Sequence, residues 1–117
     1  MLPITRFPGS APGRSSIVVH NGLVFTVVTA DTYELDMAKQ TREALANLDK
    51  QLAAAGTDKS RLLQTTIFLA DMARKPEMNA VWLEWVDNDN APQRACVGAE
   101  LEEGDLIEII AIAASKD

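Results

Sequence analysis

Apolar residues recur along this chain with two different periods, and the changes of period mark its elements. Ile17-Val18-Val19-His20 and the run from Leu23 to Val28 flank Asn21-Gly22, the strongest short-range signal for a hairpin closed by two residues. Ile4 to Phe7 predicts a short edge strand ahead of a Pro/Gly/Ser stretch. After a polar connection, Asp31 to Asp36, the period lengthens. Ala38, Thr41, Leu45, Leu48, Leu52 and Ala55 lie three and four apart, which predicts one buried face of a long helix. Gly56 follows at once, where a helix end favours a residue tolerant of positive φ.

Beyond the turn Thr57 to Ser60, the residues Leu62 to Leu69 predict a strand and Ala70 to Lys75 a loop. Pro76 suits the first turn of a second helix, where its missing N–H is no loss. Met78, Val81, Trp82, Trp85 and Val86 share one face of that helix. Asp87 to Pro92 reads as loop. Two last strands, Gln93 to Glu100 and Leu106 to Ala114, are joined by a short acidic turn containing Gly104, expected to be the solvated bend of a hairpin. The order β, ββ, α, β, α, ββ predicts an α+β fold, a mostly antiparallel or mixed sheet with both helices on one face. With 117 residues and no internal repeat, residues 1–117 are expected to form a single domain.

Two helices cover only one face of such a sheet, yet Leu106 to Ala114 carries isoleucines in both alternating sets, Ile107 and Ile109 against Ile110 and Ile112. A strand apolar on both sides is usually buried on both. No chain is left to cover the second face, so an oligomer is expected.

The same alternation separates Arg94, Cys96 and Gly98 from Ala95, Val97 and Ala99. The small apolar set suits packing under helices, which assigns Arg94 to the helix-free face. If the last two strands pair, Glu108 on the same face lies near it. An arginine at a subunit seam offers a planar fork to a carboxylate. A glutamate amid Ile107, Ile109 and Ile110 is a candidate for a raised pKa and for proton transfer. From spacing alone, an ion pair of Arg94 with Glu108 or with another subunit's acid is the commoner arrangement. Cys96, the lone cysteine, reads first as a small buried hydrophobe, and His20 as a residue at the end of the hairpin.

Charge and composition narrow the classes. The net charge is −6, Lys and Arg are scattered, and aromatics are few, which disfavours nucleic acid as a partner. One histidine and one cysteine share no ligand spacing, so no metal is expected. The sequence shows no membrane-spanning run, signal segment, phosphate-cradling loop or dinucleotide fingerprint, and the cytoplasm is the expected location.

Five segments carry a resemblance: Gln40 to Asp49, Ala55 to Ser60, Thr66 to Met72, Met78 to Trp82, and Ala91 to Val97 with its Pro92, Arg94 and Cys96 each one residue apart. With the Ile-Glu-Ile of 107–109 downstream, they resemble the RidA (YjgF) family from about Ser15 to Ala114. The resemblance implies a chorismate-mutase-like fold and a homotrimer with three clefts between subunits. It implies cofactor-free hydrolysis of reactive 2-imino and enamine acids, of the 2-iminobutanoate and 2-iminopropanoate type, to 2-oxo acids and ammonia. In that scheme Arg94 holds the substrate carboxylate, Glu108 positions or activates water, and Cys96, Asn79 and Thr26 line the cleft. The chain departs from the family pattern at Thr26-Val27-Val28, where Ser-Gly-Gln is common, and at Arg14, where the cleft tyrosine stands; these mark a divergent branch. A non-catalytic module that binds small carboxylates in the same clefts is the alternative function. A ribonuclease or translation inhibitor, as some relatives are described, is disfavoured by the acidic charge.

Overall fold

The computed structural model describes residues 1–116. Its elements are β1 (Ile4–Pro8), β2 (Ser15–His20), β3 (Leu23–Thr29), α1 (Met37–Ala54), β4 (Leu62–Leu69), α2 (Lys75–Trp85), β5 (Gln93–Gly98) and β6 (Ile107–Ala114), with single 3-10 turns at Lys59–Arg61 and Met72–Arg74. The six strands form one mixed sheet in the order β1-β2-β3-β6-β4-β5. Neighbours run antiparallel except β4 and β5, which are parallel.

Local chemistry sets the bounds of these elements. Asn21 and Gly22 both have positive φ, at 50° and 80°, which matches the right-handed twist of the strands they join. Asp36 caps α1 by accepting the Lys39 N–H at 2.9 Å, and Gly56 takes φ 79° just past its end. Met37, Thr41, Ala44, Leu45, Leu48 and Leu52 form the buried stripe of α1. They pack on Ile17, Val24, Val28, Ile67, Ile109 and Ala113 of the sheet, joined by Met78 and Trp82 of α2.

β5 and β6 are not a hairpin. β4 lies between them, and the crossover from Ala99 to Leu106 passes over its end: the Ala99 N–H donates to the Leu69 carbonyl and the Ala70 N–H to that of Leu106. The expectation of a simple bend at 100–105 is corrected. An adjacent pair in sequence gave way here to a parallel pairing with β4, whose connection is α2. The other face of the sheet is bare. Phe25, Val27, Val97 and Ile110 are all exposed there, the unpaired apolar face that the isoleucine pattern of β6 predicts.

One buried side chain ties the connections to the helix. Gln40 donates Nε2 to the carbonyls of Glu34 and Gly104, each at 2.8 Å, and its Oε1 accepts the Leu106 N–H at 2.8 Å. Replacing Gln40 by Met keeps the volume and removes all three bonds. The expected loss is about 1–3 kcal/mol of unfolding free energy, because the Leu106 N–H is left buried and unpaired; urea denaturation measures it. Gly104 has φ 90°, and a Cβ there would stand 2.5 Å from Tyr33 Cδ1. Gly104→Ala is expected to lose roughly 1–3 kcal/mol. Adding Tyr33→Ala should return the steric share and leave the backbone share, read from the same denaturation curves.

Candidate functional site

Two groups of polar residues stand on opposite faces of the sheet. The first lies under α2. In the parallel ladder Arg94 is in register with Thr65, Cys96 with Ile67 and Gly98 with Leu69. Thr65, Ile67 and Leu69 are buried on the helix-covered side, and residues in register in a sheet share a face. Arg94 therefore points towards the helices, and Ala95 and Val97 take the bare side. This reverses the assignment made from residue size. Arginine tolerates such a place because its stem packs as hydrocarbon and only the guanidinium needs partners.

Those partners come from α2. Asn79 and Trp82 are one turn apart, hence on one side of the helix. Arg94 donates from Nη1 to Asn79 Oδ1 at 2.7 Å, and its Cζ lies 5.6 Å from the centre of the Trp82 ring, within cation–π range. Among the described residues no carboxylate pairs with Arg94. Cys96 is half-buried beside the core. Gly98 leaves room for Met72, whose Cγ would be 2.8 Å from an added Cβ.

The second group surrounds Glu108. On β6 this residue sits between Thr29 of β3 and Phe68 of β4, on the bare face. Ile107 and Ile109 point the other way into the core, so they do not enclose the carboxylate as the sequence suggests. The ion pair with Arg94 is not formed, since one strand and the thickness of the sheet separate the two residues. Glu108 instead lines a groove of about 600 Å³ with Arg14, Val27, Thr29, Tyr33, Glu102 and Asp105. Burial, and after it the charge of Glu102, raises the Asp105 carboxyl above its ordinary pKa.

The groove exists because β2 and β3 part company. Their pairing ends at Ile17 and Thr26, and side chains of α1 then reach the freed edge of β3. Gln51 Nε2 donates to the Val27 carbonyl at 3.2 Å and Asn47 Nδ2 to that of Thr29 at 2.9 Å. Thr26 joins neither group. It is buried, its hydroxyl donates to the Ala111 carbonyl at 3.4 Å, and it borders only a shallow depression on the bare face with Phe25 and Ile110.

Asn79, Arg94 and Cys96 are thus brought together, and Glu108 and Arg14 form a separate group. Sequence reasoning placed Trp82 only in a core stripe. The Asn79-x-x-Trp82 spacing was the available signal, but it gains meaning only when β5 is known to lie below. Among the described residues no group of three or more His, Cys, Asp or Glu could hold a metal ion, and no helix is long and apolar enough to cross a membrane.

Comparison with known proteins bears on the family and the fold. Residues 9–115 match the family described as Endoribonuclease L-PSP. A RutC family protein of Haemophilus ducreyi is 41% identical over 102 residues, covering 86% of this chain and 87% of its own. The RutC family protein YoaB of Escherichia coli is 37% identical over 87 residues, 74% of this chain and 76% of its own. Among solved structures, a YjgF family member from Neisseria meningitidis superposes with a TM-score of 0.92 at 37% identity, over 98% of this chain and 97% of that one. A member of the YjgF family from Mycobacterium tuberculosis gives 0.83 at 26% identity, over 96% and 99%. The family match over residues 9–115, with relatives and solved structures that cover most of the chain at up to 41% identity, identifies the chain as a member of the RidA/YjgF family.

Proposed function

We propose that this protein hydrolyses small 2-imino and enamine acids to 2-oxo acids and ammonia, in clefts that two copies of the chain build together. The observation that carries the reading is the state of Arg94. Its guanidinium is held by Asn79 and Trp82 without a carboxylate among the described residues, so the remaining N–H donors of its fork suit an incoming one.

The placement of Glu108 adds the second argument. A single chain keeps Arg94 and Glu108 on opposite faces, so a site that uses both takes one from each of two chains. The bare apolar face around Phe25, Val27 and Ile110 is the surface that copies would bury. A cyclic trimer, the assembly that the family resemblance implies, closes three such contacts and leaves none open.

The chemistry asks little of the protein. An iminium carbon is already electrophilic, so orientation and one placed water suffice. Arg94 fixes the substrate carboxylate, and with it the neighbouring carbon. Glu108 of the other chain accepts a proton from water as oxygen bonds to that carbon. Glu108 returns that proton to the carbinolamine nitrogen, the C–N bond breaks as the hydroxyl gives its own proton to Glu108 and becomes the carbonyl, and ammonia and the 2-oxo acid leave. An enamine enters the same path after its β-carbon is protonated. No redox step and no cofactor is needed for this sequence of bonds.

The decisive experiment supplies the imine in place with an amino-acid oxidase and follows 2-oxo acid release. The protein is expected to exceed the spontaneous rate, Arg94→Ala to abolish that gain and Glu108→Gln to weaken it by about a hundredfold or more, the usual scale of a lost general base. Mixing the two impaired variants should restore full activity in roughly a quarter of the clefts, because random assembly in a cyclic oligomer reunites intact halves. No recovery on mixing would overturn the two-chain site. No acceleration by the wild-type protein, with 2-oxo acids still bound at Arg94, would leave a carboxylate-binding module in its place.

The assembly has its own check. Ile110→Asp puts a charge on the bare face without touching Arg94 or Glu108. Sedimentation should show dissociated chains, and hydrolysis should fall with the oligomer. An active monomer would refute the shared cleft. The net charge of −6 gives no support to a ribonuclease, whose affinity for phosphates rests on a basic surface.

A further inference from the structure

Trp82 stands in the core stripe of α2, 5% exposed, and packing alone would account for a tryptophan there. Its surroundings ask for more. The ring lies on the helix face that meets β5, with the Arg94 guanidinium against it at 5.6 Å from the centroid. Asn79, three residues earlier, accepts the Arg94 Nη1–H at 2.7 Å. The two contacts differ in kind. The Asn79 amide fixes one N–H direction, whereas the aromatic ring attracts the charge of the guanidinium as a whole.

The ring is itself braced. Trp82 packs against Trp85 with centroids 5.6 Å apart and planes tilted by 42°. Trp85 Nε1 donates to Asp49 on α1 at 2.9 Å. Lys59 closes the other side, its Nζ 5.0 Å from the Trp85 ring centre and donating to the Trp85 carbonyl at 2.6 Å. A continuous shelf therefore runs from Asp49 of α1 through two indoles to the guanidinium. A single packed leucine would fill the volume under Arg94 but would leave the cation facing hydrocarbon, without the electrostatic attraction of the ring.

We infer that Trp82 is a positioning residue for carboxylate binding: its braced ring holds the Arg94 guanidinium in place, and so sets the affinity for a 2-imino or 2-oxo acid, without touching the reacting atoms. This rests on the reading of Arg94 as the carboxylate holder. Because the ring acts on binding alike before and during reaction, its loss should appear in Kd and KM and not in kcat.

The chain has two tryptophans, Trp82 and Trp85, so indole emission reports the site directly. Titrating the wild-type protein with 2-oxobutanoate should change that emission with saturation. Trp82→Leu is expected to weaken 2-oxobutanoate binding and raise KM roughly three- to thirtyfold, the range of a cation–π contact, with kcat within about twofold. Binding to this variant is followed by calorimetry, since its emission is altered. Trp82→Phe, which keeps a ring and carries the test should the leucine variant not fold, should recover part of the affinity. Val81→Ala, a buried neighbour on the same helix, should lower stability and leave KM unchanged.

Unchanged Kd and KM in Trp82→Leu, or an equal rise in Val81→Ala, would overturn the inference and leave Trp82 as core packing. A wild-type protein that binds no 2-oxo acid would overturn the carboxylate reading itself. That failure is seen in the parent and not in the variants, so the two are distinguishable.

Discussion

A pleated strand sends successive side chains to opposite faces, and in this molecule only one face has a cover. Both helices lie on the same side of six strands, so every strand residue is either in the core or on a bare apolar surface. Arg94 falls on the first side and Glu108 on the second. Neither could change sides without a shift of its strand's register by one residue, which would expose Ile107, Ile109 and Ala111 of β6, or take Cys96 of β5 away from the core. The core thus holds the two polar groups apart within one chain.

The energetic conditions on the two sides differ accordingly. Under α2 a cation is kept half-buried with one amide and one aromatic ring as company. Around Glu108 the groove is open and acidic, with Glu102 and Asp105 near it. It is bounded by connections that Gln40 and Glu43 hold by hydrogen bonds, the Glu43 carboxylate accepting the Asp31 and Thr32 N–H groups. The loops that shape the groove are therefore anchored to the same helix that fills the core. A change in α1 is felt at both places.

Most of the fold was legible in the chain itself. The Asn21-Gly22 hairpin, the six-position stripe of the long helix, Pro76 in the first turn of α2 and the apolar excess of β6 each follow from local rules of sterics and periodicity. The structure places each element within a few residues of its expected bounds. Where reading failed, it failed on pairing. Gln93 to Glu100 and Leu106 to Ala114 are adjacent in sequence, and adjacency favours a hairpin, but β4 intervenes. The face of Arg94 is hidden for a related reason: residue size points to the small set as the buried one, although a long side chain with a hydrocarbon stem can occupy the covered side as well.

The sequence by itself determined the elements, the one-sided helix cover, the resemblance to the RidA/YjgF family and the identity of the polar residues worth watching. Those are properties of spacing along one chain, and alternation or a 3.6-residue period expresses them without knowledge of neighbours. Only the tertiary structure decided which strand lies beside which, and with it that Arg94 rests on Trp82 while Glu108 looks out from the opposite face. Strand order depends on contacts between residues far apart in sequence, for which the chain carries no local signal.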